Sequence, residues 1–130
     1  MKRRITPHAA ILIAILGFAG VAHLANPQFF DPLVPGWVPG SARLATNLSG
    51  LAEISVAVLV AVPRTRRVGG WAAFALFLAV YPANVQAALD GGMKHLDAPF
   101  NTAAAAWIRL PFQIPLLWLA WRVARSTTAD

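Results

Sequence analysis

Leu59-Val60-Ala61-Val62-Pro63-Arg64-Thr65-Arg66-Arg67-Val68-Gly69-Gly70-Trp71 is the stretch that decides the fold. An apolar run stops at a proline, a cluster of arginines follows, and a second apolar run begins at once. Working outward, the first run extends back to about residue 44 and the second forward to about residue 89, where Asp90-Gly91-Gly92 ends it. Two more apolar runs flank this pair, at about 7–25 and 102–122. Each approaches the ~20 residues that a helix needs to cross ~30 Å of hydrocarbon. Basic residues precede the first run (Lys2, Arg3, Arg4), separate the second from the third (Arg64, Arg66, Arg67) and follow the fourth (Arg122, Arg125). These are eight of the eleven Lys and Arg. All of them fall where an even number of crossings brings them together, which predicts cytoplasmic termini and two outer loops. The expected fold is all-α: a single polytopic four-transmembrane-helix bundle over residues 1–130.

Composition points the same way. The chain is 58% hydrophobic and 12% charged, with a mean hydropathy of +0.58, far from the balance of a soluble domain. The net charge of +6 could suggest nucleic acid, but basic residues at span ends near anionic lipid headgroups account for it. The expected partner is therefore the bilayer, with no nucleic acid. Cysteine is absent, which excludes disulfides, thiol catalysis and thiolate metal sites. Lys2-Arg3-Arg4 before an apolar run could also open a secretory signal. Removing that run would leave three spans and upset the charge pattern. It reads instead as a retained helix with Thr6 as N-cap and Pro7 at its first position.

Between the first two spans, residues 26–43 carry Pro27, Pro32, Pro35 and Pro39, which forbid a continuous helix. Phe29, Phe30 and Trp37 keep the segment apolar, so it is expected at the outer interface as either a greasy connector or a lid. The turn at 63–67 is short enough to make the second and third spans antiparallel neighbours. Pro111 and Pro115 should kink the fourth.

Polar groups inside spans are costly and mark candidate sites. His23, Asn47, Glu53, Tyr81, Asn84, Arg109 and Gln113 are the ones to place, and most fall in the outer half. They predict a polar pocket between helices that opens outward. Glu53 and Arg109 lie at similar depth, at about 1.5 Å rise per residue, and are expected to pair, because Arg109 cannot escape burial by losing its charge. His8, His23 and His95 are scattered, and no metal or haem ligand set emerges. No nucleotide loop or nucleophile motif is present, so no catalytic activity of its own is expected.

Five strings in order carry a family resemblance. They are Gly20-Val21-Ala22-His23-Leu24-Ala25-Asn26-Pro27-Gln28-Phe29-Phe30, Ser49-Gly50-Leu51-Ala52-Glu53, Pro63-Arg64-Thr65-Arg66-Arg67, Tyr81-Pro82-Ala83-Asn84-Val85, and Arg109-Leu110-Pro111-Phe112-Gln113. Together they resemble the DoxX-like family of small bacterial membrane proteins. The resemblance implies a four-helix membrane domain linked to quinone-coupled or oxidative-stress systems, with His23, Glu53, Asn84, Arg109 and Gln113 as its recurring polar residues. Tyr81 stands where Phe is more usual.

The combined expectation is an accessory or ligand-binding membrane subunit holding a quinone or a lipid-like molecule, beside redox-complex subunits or further copies of itself. A small-solute transporter and a purely structural subunit are the alternatives. In intact vesicles, cysteine placed at Gly91 should react with an impermeant reagent added outside and cysteine at Thr65 should not. The opposite pattern would invert the orientation.

Overall fold

The computed structural model describes residues 4–93, 97–99 and 101–126. Lys2, Arg3, Lys94 and His95 lie outside them. Helix α1 runs Pro7–Ala25 and opens as its first residues dictate. The Thr6 hydroxyl accepts from the Ala9 N–H at 3.2 Å, and Pro7 occupies the first turn. The proline-rich segment folds into a single-turn helix, α2 (Pro27–Phe30), and a 3-10 turn at Asp31–Leu33. Helix α3 spans Ala42–Ala61, starting before Leu44, where hydropathy placed it. The Ser41 hydroxyl accepts from the Leu44 N–H at 3.0 Å, and this cap sets the start.

Helix α4 runs Arg66–Leu89 with Pro82 inside it. The last apolar run is broken into α5 (Ala103–Arg109) and α6 (Gln113–Ser126) by a 3-10 turn at Leu110–Phe112, where Pro111 withholds an N–H. The chain thus has four helices long and apolar enough to cross a membrane, counting 103–125 as one, and no strand among the described residues.

These helices run up and down. α1 packs on α3, α3 on α4 and α4 on α6, while α1 also meets α6. One end of the bundle, where the described N-terminal residues meet the 62–67 turn and the end of α6, is filled by a dry core. Leu12, Leu16, Val60 and Val123 are fully buried there, with Val56, Phe77 and Leu119 around them. A smaller cluster of Ala88, Ala106 and Leu110, flanked by Tyr81 and Val85, sits toward the other end.

Small residues let the backbones approach closely. A Cβ on Gly20 would fall 2.8 Å from the Gly50 carbonyl oxygen, and one on Gly50 would fall 3.0 Å from that of Gly20. α1 and α3 therefore touch backbone to backbone at this point. At the opposite end Gly69 does the same against α3, since a Cβ there would lie 2.7 Å from the Val60 nitrogen.

The C-terminus of α3 shows how the dry end is closed. The last carbonyls of a helix have no partner in the helix itself and must be satisfied in another way. Here the Val58 carbonyl accepts from the Val62 N–H at 3.1 Å, and Leu59 accepts from the Thr65 hydroxyl at 2.8 Å. Val60 accepts from Arg66 Nε at 2.8 Å and Ala61 from Arg66 Nη2 at 3.1 Å. The third nitrogen of the fork, Nη1, donates to the Arg4 carbonyl at 3.3 Å and so ties the chain before α1 to the same knot. Arg66 is only 4% exposed. A planar guanidinium serves three divergent acceptors where an ammonium could not.

Arg66→Ala strands two buried carbonyls at about 1–3 kcal/mol each. It should therefore lower the thermal midpoint in detergent sharply, and Arg66→Lys should recover only part of the loss. A midpoint equal to the parent's in Arg66→Ala would show that the knot contributes nothing.

Candidate functional site

The polar residues of the helices divide into separate places rather than lining one pocket. Glu53 sits on the buried face of α3, one turn beyond Gly50, and is 8% exposed. His23 sits one turn beyond Gly20 on α1, so the glycine contact carries the two side chains together. His23 Nδ1 lies 3.2 Å from Glu53 Oε2. The expected Glu53–Arg109 pair does not form. α3 packs against α1 and α4, while α5 packs against α4, so equal depth does not bring these two residues to one interface. Arg109 is exposed and donates from Nη1 to the Met93 sulfur at 2.8 Å.

Gln113 has a structural task. It is 7% exposed and donates from Nε2 to the Phe77 carbonyl at 2.7 Å, joining α6 to α4. Pro82 has no N–H for the Leu78 carbonyl one residue further on, so the bond reinforces α4 where its own ladder is interrupted. Tyr81 packs against the Ala88–Ala106–Leu110 cluster. Asn47 and Asn84 are half-buried and make no side-chain hydrogen bond among the described residues.

The proline-rich segment caps the end of the bundle remote from the dry core. The Phe30 ring stacks on the His23 imidazole at 3.8 Å between centroids, and Phe29 meets Phe30 edge-on at 5.0 Å. Asp31 holds the segment to α3 by accepting from Arg43 Nε at 2.9 Å. Burial raises the Asp31 carboxyl, but the neighbouring Thr46 hydroxyl and Arg43 guanidinium outweigh it and hold the group below its ordinary value. A lowered carboxylate stabilises the folded state above its ordinary range and loses that effect as pH falls through the lowered value. The tether therefore persists from neutral pH through the ordinary carboxylate range and is lost only in stronger acid.

Beyond Asp31 the segment arches over a cavity of about 660 Å³. Its walls are the Pro32–Trp37 strip on one side and Ala83, Gln86, Ala87, Asp90 and Met93 on the other. The lining is largely apolar. Its polar corner is a Gln86 amide donating to Asp90 Oδ1 at 2.9 Å, with Arg109 just behind Met93. Trp37 is 62% exposed and forms one rim. Of the candidate site residues named from the sequence, only Trp37 lines this cavity. Gln86 and Asp90 were not among them, although their four-residue spacing at the end of a helix next to Gly91-Gly92 places both on one face there. Among the described residues no cluster of His, Asp and Glu has the makings of a metal site.

If His23 is the partner of Glu53, a double-substitution cycle between them should show a coupling of about 0.5–3 kcal/mol, whereas Glu53 and Arg109 should be additive within about 0.5 kcal/mol. Coupling in the second cycle and none in the first would reverse the assignment.

No curated protein and no solved structure matches the chain. A family model does match, over residues 12–124, nearly the whole helical bundle including both the His23–Glu53 contact and the cavity. The chain belongs to the family described as Domain of unknown function (DUF8561).

Proposed function

We propose that the chain is a DoxX-like, multi-pass protein of the bacterial inner membrane, with both termini cytoplasmic, and that its cavity binds a small amphipathic molecule, quinone-like or lipid-like. In this reading it serves as an accessory subunit of a membrane redox system. Two features support insertion. Large apolar side chains face outward all along the helices, with Phe18 80%, Ile114 68%, Phe112 65% and Ile108 61% exposed, which soluble monomers avoid. Arg4, Arg64, Arg66, Arg67, Arg122 and Arg125 all fall at the dry end, as a cytoplasmic face requires.

The cavity carries the ligand reading. Its volume lies within the ~300–1,000 Å³ of small-molecule sites, and such sites combine apolar walls with a few polar groups. Pro32–Trp37 supplies a rigid apolar wall, because prolines restrict its backbone, and Trp37 supplies a flat aromatic face. The Gln86–Asp90 corner and the Arg109 guanidinium offer hydrogen-bonding groups at one end, so an amphipathic molecule would lie with its head there and its body under the segment. The dry core at the arginine end argues against a transport pathway through the bundle.

Trp37 fluorescence in the reconstituted protein should be quenched saturably by a short-chain quinone or by a lipid analogue bearing a quencher. Trp37→Ala should weaken retention of that molecule about tenfold, the equivalent of one aromatic contact. Mass spectrometry of the gently purified protein should find such a molecule bound. Absence of both quenching and any co-purified molecule would leave a purely structural subunit as the better account.

A further inference from the structure

The polar corner of the cavity under the proline-rich strip is built largely of acceptors. At the end of α4 the backbone donors are used up. The Asp90 N–H donates to the Gln86 carbonyl at 2.9 Å, Gly91 to Ala88 at 3.2 Å and Gly92 to Ala87 at 2.9 Å. The Gln86 amide in turn donates to Asp90 Oδ1 at 2.9 Å. Asp90 Oδ2 and Gln86 Oε1 are left without a partner among the described residues, and both only accept. A second Gln86 hydrogen is the donor that remains there. Across the cavity Pro32 and Pro35 have no N–H to offer. The Val34 and Val38 N–H groups are taken by the Asp31 and Pro35 carbonyls.

Charge points the same way. Of the residues that line the cavity, Asp90 is the one that carries charge, and it is exposed. Among the described residues no cation lies within ion-pair distance of it. Arg43 is held by Asp31 at 2.9 Å. Arg109 is not part of the wall. Met93 lines the cavity and is 8% exposed, and its sulfur accepts from Arg109 Nη1 at 2.8 Å. At the rim, Trp37 adds an indole ring, which attracts a cation that comes within about 6 Å of its centre. A carboxylate, a free carbonyl and an indole around largely apolar walls favour a positively charged donor.

We propose that the occupant of this cavity carries an ammonium head, held by Asp90 Oδ2 and Gln86 Oε1, with its apolar body under the Pro32–Trp37 strip. The inference rests on the cavity being a ligand site and narrows what enters it. An amine-headed lipid or a free long-chain amine meets these groups. An oxidised quinone, whose oxygens only accept, does not. Arg109 contributes repulsion from behind Met93 and no contact to the head.

Native mass spectrometry in a non-ionic detergent, with dodecylamine, dodecanol and dodecanoate competing at equal concentration, tests the head directly. The three share one chain, and comparison with Asp90→Asn cancels their different partition into micelles. That substitution keeps an oxygen for the Gln86 amide at an exposed position, so the fold is retained. The preference for dodecylamine over dodecanol should fall about fivefold in Asp90→Asn, the upper range for an exposed ion pair. Arg109→Gln should sharpen the preference. Lysophosphatidylethanolamine against lysophosphatidylglycerol separates the sources: retention of the first assigns the amine to a lipid, and retention of dodecylamine alone assigns a free amine. Equal retention of the three chains, preference for dodecanoate, a preference unchanged in Asp90→Asn or one lost in Arg109→Gln would overturn the head assignment while leaving the cavity a ligand site. If no probe is retained, or Trp37→Ala leaves retention unchanged, the cavity is not a binding site and both readings fall.

Discussion

In a bundle this apolar, backbone groups freed where a helix starts, stops or breaks need polar partners from the protein itself. That constraint organises the structure. Where α3 ends, Thr65 and Arg66 take up its orphan carbonyls. Beside the Pro82 break in α4, Gln113 reaches across from α6 to the Phe77 carbonyl, one residue before the one Pro82 leaves free. Thr6, Ser41 and Thr102 each accept from a first-turn N–H of α1, α3 and α5. Gln113, which looks like a candidate for chemistry, is spent on this task, and setting it aside narrows the remainder.

The remainder is concentrated at one end. The arginine end is closed by Leu12, Leu16, Val60 and Val123 and by the Arg66 knot. The opposite end holds the Glu53 carboxylate beside a histidine under an aromatic ring, and a cavity under a proline-stiffened strip. The asymmetry follows from packing. Gly69 and Gly70 bring α4 hard against α3 and α6 at the closed end, while at the other end Pro111 and the proline-rich segment replace continuous helix with turns, and the Pro32–Trp37 strip leaves a cavity against the end of α4.

Much of the fold is legible in the sequence because hydropathy, prolines and caps act locally. The four apolar runs, the Thr6–Pro7 start and the break at Pro111 need no knowledge of neighbours. The site is less legible because it depends on the lateral order of the helices. Depth along the bundle suggested Glu53 with Arg109, yet depth is shared by all helices and says nothing about which are adjacent. The informative pattern was paired spacing: His23 follows Gly20 and Glu53 follows Gly50, each by three residues, so a glycine-to-glycine crossing delivers both side chains to one seam. Arg66 was hidden for a different reason. It sits in a basic cluster whose charge already had an explanation in topology, and only tertiary structure separates a buried capping arginine from its exposed neighbours Arg64 and Arg67.

One end of the bundle opens into the cavity under the proline-rich strip, and the other is sealed by the core. The native chain has no cysteine, so single reporters need no altered background. Cysteine at Ala83, on the cavity wall, and at Ala120, which is 0% exposed in the core, should be treated with a small hydrophilic thiol reagent in reconstituted vesicles. The account predicts rapid modification at position 83 and none at position 120 while the protein stays folded. Modification at 120, or protection at 83 in the absence of any bound ligand, would contradict it.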